Sequence, residues 1–147
     1  MTDRDWKIFR EDNDIQVKGN RVPNPIRNWR EISDTVSAKI MHNIDLNGFD
    51  KPYPIQQQAI PIAMNCRDMI GLAPTGSGKS VAFLLPLISF LEKQPLIQGH
   101  LVQDGPYAII MAPARELAIQ IEKEFQKLTY GTGLRSVVVV GGKSVEE

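Results

Sequence analysis

The chain has 147 residues, about the length of one domain, and its 42% hydrophobic and 23% charged residues are close to the average for globular proteins. These values exclude collagen-like, fibrous and intrinsically disordered proteins. Lys and Arg number 17, as do Asp and Glu, so there is no overall positive field of the kind that drives non-specific nucleic-acid binding, and any nucleic-acid contact must be local.

The location of the protein also follows from simple sequence features. The longest apolar run, from Val81 to Leu91, is interrupted by Pro86 and Ser89 and is shorter than the ~20 residues of a membrane-spanning helix. The N-terminus is charged and lacks the apolar stretch of a secretory signal. Cys66 is the only cysteine, which agrees with a reducing compartment. We therefore expect an intracellular protein without a membrane partner.

Residues 1–32 differ in composition from the rest. The segment from Asp3 to Asp14 is dense in charge, residues 18–20 predict a turn, and Pro23 and Pro25 do not continue a helix. We predict an extended N-terminal arm. Apolar side chains spaced along it would anchor it on a neighbouring surface: Trp6, Ile8, Phe9, Ile26 and Trp29.

The first elements after the arm are two helices and a strand. From Ser33 the apolar residues Val36, Ile40 and Ile44 recur at every fourth position, which predicts a helix that ends near Gly48. A second helix is predicted from Ile55 to Met64. The short apolar run 69–73 then predicts a buried strand.

The remaining elements alternate in type. Residues 80–92 are apolar on nearly every side and predict an enclosed helix, kinked at Pro86, followed by a loop over 93–106. Residues 107–112 and 137–140 predict strands buried on both faces, separated by an amphipathic helix over 116–128. The order strand, helix, strand, helix, strand predicts an α/β fold in which helices flank a parallel sheet.

The segment Ala73-Pro74-Thr75-Gly76-Ser77-Gly78-Lys79-Ser80 lies between the first predicted strand and the apolar helix. The two glycines allow successive N–H groups to form a nest for phosphate at a helix N-terminus. Lys79 would reach the terminal phosphates and the Ser80 hydroxyl would bind Mg²⁺. Ala73 replaces the first glycine of the general pattern. The alternative is an ordinary turn rich in small residues, but the strand before and the helix after favour phosphate binding.

Gln56 is a candidate for base recognition. Its side chain presents a donor and an acceptor that match the N6 and N7 edge of adenine. Taken alone, a glutamine at the start of a helix is more often a solvated polar residue.

Four segments in order resemble motifs of the DEAD-box family of ATP-dependent RNA helicases. Gly48-Phe49 with residues 52–56 resembles the Q motif, and residues 73–80 resemble motif I. Residues 113–118 resemble motif Ia, and Gly141-Gly142 resembles the GG motif. Val22 to Ile26, followed by Trp29, is similar to the upstream segment of many members. Residues 4–12 resemble the segment before the helicase core in spliceosomal members that act at the 5′ splice site.

The resemblance implies a fold and a set of site residues. Residues 1–32 would be the arm and 33–147 an incomplete RecA-like domain. Gln56 would recognise adenine, with Phe49 and Trp29 around it. The nucleotide-binding residues would be Phe49, Gln56, Pro74, Thr75, Gly76, Ser77, Gly78, Lys79 and Ser80, with catalytic roles for Lys79 and, through Mg²⁺, Ser80. Pro113, Arg115 and Gly142 would contact the RNA backbone. Tyr53 and Ala114 replace threonines typical of their motifs.

The resemblance also implies what the chain lacks. ATP hydrolysis by a P-loop enzyme needs an acidic metal ligand at the end of a second strand, and no predicted strand here ends in Asp or Glu. The DEAD sequence and a second RecA-like domain are missing. We expect the parent protein to be an RNA-dependent ATPase and this chain alone to be hydrolytically inactive. We also expect a cooperative, monodisperse fold only if a partner covers the sheet.

The sequence alone leaves alternatives to the helicase hypothesis. One is a non-catalytic module that docks on a ribonucleoprotein through Trp6, Phe9 and Trp29. A small-molecule kinase is disfavoured because it leaves Gln56 and Arg115 without a purpose. The helicase reading implies RNA and spliceosomal proteins as partners, a nuclear location and no specificity for DNA. We expect Cys66 to be buried, and we assign no function to it, His42 or His100.

Overall fold

The computed structural model describes residues 1–95, 97 and 105–141. These residues contain five α-helices and one short 3-10 helix, Trp29–Ile32. The α-helices are α1 (Asp3–Asp12), α2 (Ala38–Leu46), α3 (Pro54–Met64), α4 (Lys79–Leu91) and α5 (Arg115–Leu128). Within these ranges, no helix combines the length and the apolar character that a bilayer crossing requires.

The hydrophobic core lies between α2, α3, α4 and α5. Helices α3 and α4 make the most extensive helix–helix contact, and α5 packs against both α4 and α2. The fully buried apolar side chains of this core are Ile40, Ile44, Ile60, Leu84, Leu85, Ile88 and Leu128. Because dense packing resists displacement, the N-termini of α3 and α4 are held in a fixed relation to each other.

Residues 3–12 of the arm are helical, so the prediction of an extended arm is wrong there. The Thr2 main-chain N–H donates to the Asp5 carboxylate over 2.7 Å, and the Asp5 N–H donates back to the Thr2 hydroxyl over 3.4 Å. This reciprocal cap satisfies first-turn donors that an isolated helix leaves open. Trp6 packs edge-to-face on Phe9 with ring centroids 6.0 Å apart. The helix nevertheless buries no residue completely.

The anchoring predicted for the arm is confirmed at its C-terminal end. Ile26 and Trp29 are 7% and 6% exposed and belong to the core. Ile8 is 45% exposed and does not act as an anchor. The arm is therefore fixed mainly through residues 25–32.

Three helix predictions are confirmed to within one residue at each end, those for α3, α4 and α5. Helix α2 begins at Ala38 rather than at Ser33, because the Ser37 hydroxyl caps it by accepting from the Ile40 N–H. Val36 is buried ahead of the helix. Cys66 is exposed, contrary to expectation, and has a φ of +54° in the turn that follows α3.

The parallel sheet is not confirmed, since no described residue is assigned to a strand. The expected burial on both faces is also not observed. Gly71 faces α3, where a Cβ would lie 3.5 Å from Ile55, and Ala112 packs on the core. Apolar residues at alternating positions in the three predicted strands are instead 78 to 92% exposed: Ile70, Leu72, Ile109, Met111, Val137 and Val139. Burial on both sides needs a second layer, and the described helices cover one side.

Candidate nucleotide-binding site and RNA-contact residues

Residues 73–80 form the phosphate loop, which leads directly into α4. Gly76 and Gly78 have φ values of +76° and +77°, in the left-handed region that glycine adopts without strain. Gly78 is the N-cap of α4. Among the described residues, no hydrogen-bond acceptor pairs with the main-chain N–H groups of residues 75–80. The loop therefore presents consecutive donors at a helix N-terminus, which is the arrangement that binds phosphate.

Lys79 folds back over this loop. Its Nζ donates to the carbonyl oxygens of Ala73 and Pro74, over 2.5 and 2.8 Å, and the Ser77 hydroxyl donates to the same Pro74 carbonyl over 2.7 Å. An anionic oxygen at the loop would compete with these carbonyls for the ammonium group. The charge is thus held where a phosphate would need it.

Ser80 lies in the first turn of α4 and is half-buried beside the loop. A hydroxyl is a hard oxygen ligand of the type that Mg²⁺ accepts, together with phosphate oxygens and water. The residue therefore fits a magnesium ion held jointly with a nucleotide. In the part of the chain that the structure describes, no group of three His, Cys, Asp or Glu side chains is placed to bind a metal.

Gln56 joins the start of α3 to the phosphate loop. Its Oε1 accepts from the Tyr53 N–H over 2.8 Å, and its Nε2 donates to the Gly78 carbonyl over 3.0 Å. The side chain is 3% exposed, so the interpretation as a solvated polar residue is wrong. A glutamine amide has two donors and two acceptor lone pairs, so one of each remains for a ligand.

A cavity of about 190 Å³ opens beside Gln56. The structure brings three predicted residues together on its wall: Trp29, Phe49 and Gln56. The lining is completed by Gly48, Asp50, Lys51 and Tyr53. These four residues were not among those predicted for the site, although they lie within the segment that resembles the Q motif. The Trp29 Nε1 is buried, and no described residue accepts a hydrogen bond from it. A larger groove, of about 680 Å³, lies beside Arg21 and Arg67 and includes none of the predicted site residues.

Two of the three residues predicted to contact RNA lie at the N-terminus of α5. Pro113 and Arg115 are exposed. The Arg115 guanidinium donates to the main-chain carbonyl of Gly141, so the structure brings the predicted motif Ia and GG motif together. Gly142 lies outside the described residues.

The two residues that stand where the family motifs have threonine occupy equivalent structural positions. Tyr53 is the N-cap of α3 and Ala114 is the N-cap of α5. Ala114 has an extended backbone, with φ of −136° and ψ of 148°, and forms no side-chain cap. A threonine hydroxyl at an N-cap accepts from a first-turn N–H. The missing hydroxyl at Ala114 therefore leaves the first-turn donors of α5 without a side-chain cap, whereas at α3 the Gln56 side chain accepts from the Tyr53 N–H.

Comparison with known proteins agrees with this geometry. The DEAD/DEAH box helicase model matches residues 53–147. ATP-dependent RNA helicase ddx23 of Dictyostelium discoideum is 48% identical over 147 residues, covering 100% of this chain and 17% of that protein. Pre-mRNA-splicing ATP-dependent RNA helicase PRP28 of Phaeosphaeria nodorum is 46% identical over 147 residues, covering 100% of this chain and 19% of that protein. The chain thus spans less than a fifth of the length of these relatives.

A solved structure has the same fold. The crystal structure of the RNA helicase Prp28 from Chaetomium thermophilum bound to ADP matches with a TM-score of 0.87 and 44% identity, covering 99% of this chain and 34% of that chain. The matched region contains both the cavity at Gln56 and the phosphate loop. The chain belongs to the DEAD/DEAH box helicase family.

Proposed function

We propose that this chain is the ATP-binding part of an ATP-dependent RNA helicase, an RNA-dependent ATPase that remodels RNA or RNA–protein complexes in pre-mRNA splicing. The observation that carries the proposal is the hydrogen bond from Gln56 to Gly78, because it joins an amide complementary to adenine to a loop complementary to phosphate. The names of the two relatives, an ATP-dependent RNA helicase and a pre-mRNA-splicing helicase, support it.

The nucleotide would lie with its base in the cavity and its phosphates on the loop. Gln56 would bind the adenine edge, with Phe49 and Trp29 packing around the ring. The N–H groups of the loop would bind the phosphates, and Lys79 would balance the charge that develops on the transferred group. The nucleotide-binding set is Phe49, Gln56, Pro74, Thr75, Gly76, Ser77, Gly78, Lys79 and Ser80.

Ser80 would hold Mg²⁺ together with the phosphates. The ion would supply positive charge that offsets the negative charge of the phosphates. Ser80 supplies an oxygen at the first turn of α4, and Lys79 supplies a cation that is bonded to the loop carbonyls. These two residues are therefore the ones in this chain that we assign to catalysis.

RNA would contact the N-terminus of α5. Pro113, Arg115 and Gly142 would bind the sugar-phosphate backbone, which positions the strand without reading its sequence. The exposed guanidinium of Arg115, held beside Gly141, supports this role. We further propose spliceosomal proteins as partners and the nucleus as the location, from the splicing names of the relatives.

The finer fold proposal is a RecA-like domain over 33–147. Its parallel sheet would contain residues 69–73, 107–112 and 137–140. Two features support it: the alternation of exposed and helix-facing residues in these segments, and the match to the Prp28 structure with a TM-score of 0.87. The alternative of a docking module is not favoured, because Trp29, one of its three proposed contacts, is 6% exposed and part of the core.

A titration with ADP and GDP in Mg²⁺ tests the proposal, with Gln56→Ala, Lys79→Ala and the exposed control Gln126→Ala. The unmodified chain and the control should bind ADP more tightly than GDP. Gln56→Ala should bind both nucleotides alike, and Lys79→Ala should bind neither well, since it lacks the phosphate-neutralising charge. Equal affinity of the unmodified chain for ADP and GDP, or no affinity for either, would contradict the proposal.

A further inference from the structure

We propose that Arg10 is a positioning residue for the adenine end of the nucleotide site: it fixes the arm against α3 and thereby holds Trp29 beside Gln56. The inference rests on the proposed function, because it assigns to α1 a part in the selectivity of that site. Nothing in the nucleotide or RNA contacts described above uses α1.

Arg10 closes a ring of three hydrogen bonds. Its Nε donates to the Oε1 of Gln58 over 2.9 Å, and its Nη2 donates to the carbonyl oxygen of Pro23 over 3.2 Å. The Nε2 of Gln58 donates to the same Pro23 oxygen over 2.9 Å. Gln58 is 5% exposed, and Arg10 and Pro23 are half-buried, so the ring lies against the surface of α3 and is partly shielded from water. Hydrogen bonds from a charged donor in such surroundings are stronger than neutral ones.

The ring fixes the segment that carries Trp29. Three residues after Pro23, the N–H of Ile26 donates to the main-chain carbonyl of Gln57 over 2.9 Å. Three residues further, Trp29 enters the core and lines the cavity with Gln56. The chain between the ring and the cavity is thus short and bonded to α3 at both Gln57 and Gln58.

Three consecutive glutamines of α3 connect the elements of this arrangement. Gln56 bonds to the phosphate loop through Gly78, Gln57 accepts from the arm, and Gln58 bonds to Arg10. Because consecutive helical residues project about 100° apart, the side chains of Gln56 and Gln58 leave α3 in different directions, while Gln57 accepts through its main-chain carbonyl. One turn of α3 thus contacts the loop, the arm and α1 at once. Loss of the Arg10 ring would loosen the arm on the same turn that carries Gln56.

Lys7 provides a matched control on the same helix. Its Nζ lies 3.9 Å from the Glu11 carboxylate, and the two side chains are 79% and 64% exposed. Such a pair contributes little to stability. Lys7→Ala therefore removes a cation from α1 without touching the contact with α3.

The experiment uses the 147-residue chain with Trp6→Phe, which leaves Trp29 as the single tryptophan. In this background we compare Arg10→Ala, Arg10→Lys, Gln58→Met and Lys7→Ala. Acrylamide quenching reports the shielding of Trp29 without any ligand. Calorimetric titrations in Mg²⁺ with ADP, GDP and inorganic tripolyphosphate report base selectivity and phosphate affinity separately.

Arg10→Ala should raise the quenching constant of Trp29 about twofold and lower the ADP-over-GDP preference about fivefold to twentyfold. This loss is at or below the lower end of the range for losing hydrogen bonds from a charged group, because Arg10 acts on the site only through the arm. Tripolyphosphate affinity should stay within about twofold, because the loop itself is intact. Gln58→Met should reproduce this pattern, Arg10→Lys should restore part of it through one donor, and Lys7→Ala should change nothing. The double variant that combines Arg10→Ala with Gln58→Met should lose no more selectivity than either single variant, because both changes break the same ring.

Several outcomes would overturn the inference. Unchanged selectivity in Arg10→Ala, whether Trp29 becomes accessible or stays shielded, would show that α1 does not act on the adenine site. A loss of selectivity with Trp29 still shielded would show that Arg10 does not act through the arm. An equal loss of selectivity in Lys7→Ala would show that the positive charge of α1, and not the ring of hydrogen bonds, is responsible. If the Trp6→Phe parent already binds ADP and GDP alike, the proposed function fails and this inference fails with it. If Arg10→Ala does not fold, the same comparison of Trp29 quenching and ADP-over-GDP preference is made with Gln58→Met and Arg10→Lys.

Discussion

The side-chain amide of Gln56 donates a hydrogen bond of 3.0 Å to the carbonyl oxygen of Gly78, the residue that caps α4. The contact is close: a Cβ on Gly78 would lie 2.3 Å from the Gln56 Nε2. Residue 78 therefore needs glycine twice, once for its positive φ and once for the approach of the amide. The base-recognition residue and the phosphate loop are one structural unit.

Gly78→Ala should be more damaging than Gly76→Ala. Both glycines have nearly the same φ, +77° and +76°, so both variants carry backbone strain of about 1–2 kcal/mol. Only at Gly78 would the new methyl group overlap Gln56, whereas no atom of the described residues lies within 4 Å of a Cβ at Gly76. Urea unfolding should show a cost for Gly78→Ala that is larger by about 1–3 kcal/mol. Equal unfolding free energies would mean that Gln56 moves aside freely.

Ala114→Thr should stabilise the chain. Ala114 already has the extended backbone of an N-cap residue and lacks an acceptor, so a hydroxyl would pair with a first-turn N–H of α5. The expected gain is about 1 kcal/mol in the free energy of unfolding. Ala114→Val is the control, since it has the shape of threonine without the oxygen. A gain of the same size in the valine variant would show that packing, and not capping, is responsible.

The N-terminal cap of α1 should depend on pH through Asp5. The main-chain N–H of Thr2, and then its hydroxyl, hold the pKa of the Asp5 carboxyl below its ordinary value of 3.8. Because the pKa is lower in the folded state, the stabilisation is present above pH 3.8 and is lost as the pH falls through the folded pKa. Carbon-13 NMR of the Asp5 carboxyl should show the low pKa, and Asp5→Asn should remove the pH dependence of the Thr2 amide shift. An Asp5 pKa at or above 3.8 would refute the cap.

Arg115→Ala should weaken RNA binding without changing sequence preference. A backbone contact carries no base information, so affinities for oligo-U and oligo-A should fall by similar factors. The slope of log affinity against log salt concentration should become less steep by about 1. Lys123→Ala, which removes an exposed cation from the same helix, is the control. A fall confined to one sequence would assign Arg115 to base readout instead.

Much of the fold was predictable because the signals were local. Apolar periodicity predicted α3, α4 and α5 to within a residue, and the loop at 73–80 was predicted from glycines and a lysine that few other structures require. Helix α1 was missed because charges fill its sequence. The sequence signal for this helix was the reciprocal cap between Thr2 and Asp5, two polar residues in a segment where polar residues are common.

Contacts between distant segments were not predictable. No periodicity in the sequence indicates that Arg10 meets Gln58, 48 residues away. The start of α2 was misplaced because Ser33 and Ser37 are both good caps, and tertiary packing of Val36 decides between them. The apolar runs of the predicted strands indicate a preference for burial, but not which layer covers them.

The three glutamines of α3 make the register of that helix unusually sensitive. Insertion or deletion of a single residue between Gln56 and Gln58 would rotate one contact by about 100° relative to the other. Gly78 and Arg10 would then not both be in reach, although helix length and hydrophobicity would barely change. Variants that lengthen or shorten α3 by one residue at this point should lose selective nucleotide binding. Conservative substitutions at Ile62 or Ala63, later in the helix, should leave it unchanged.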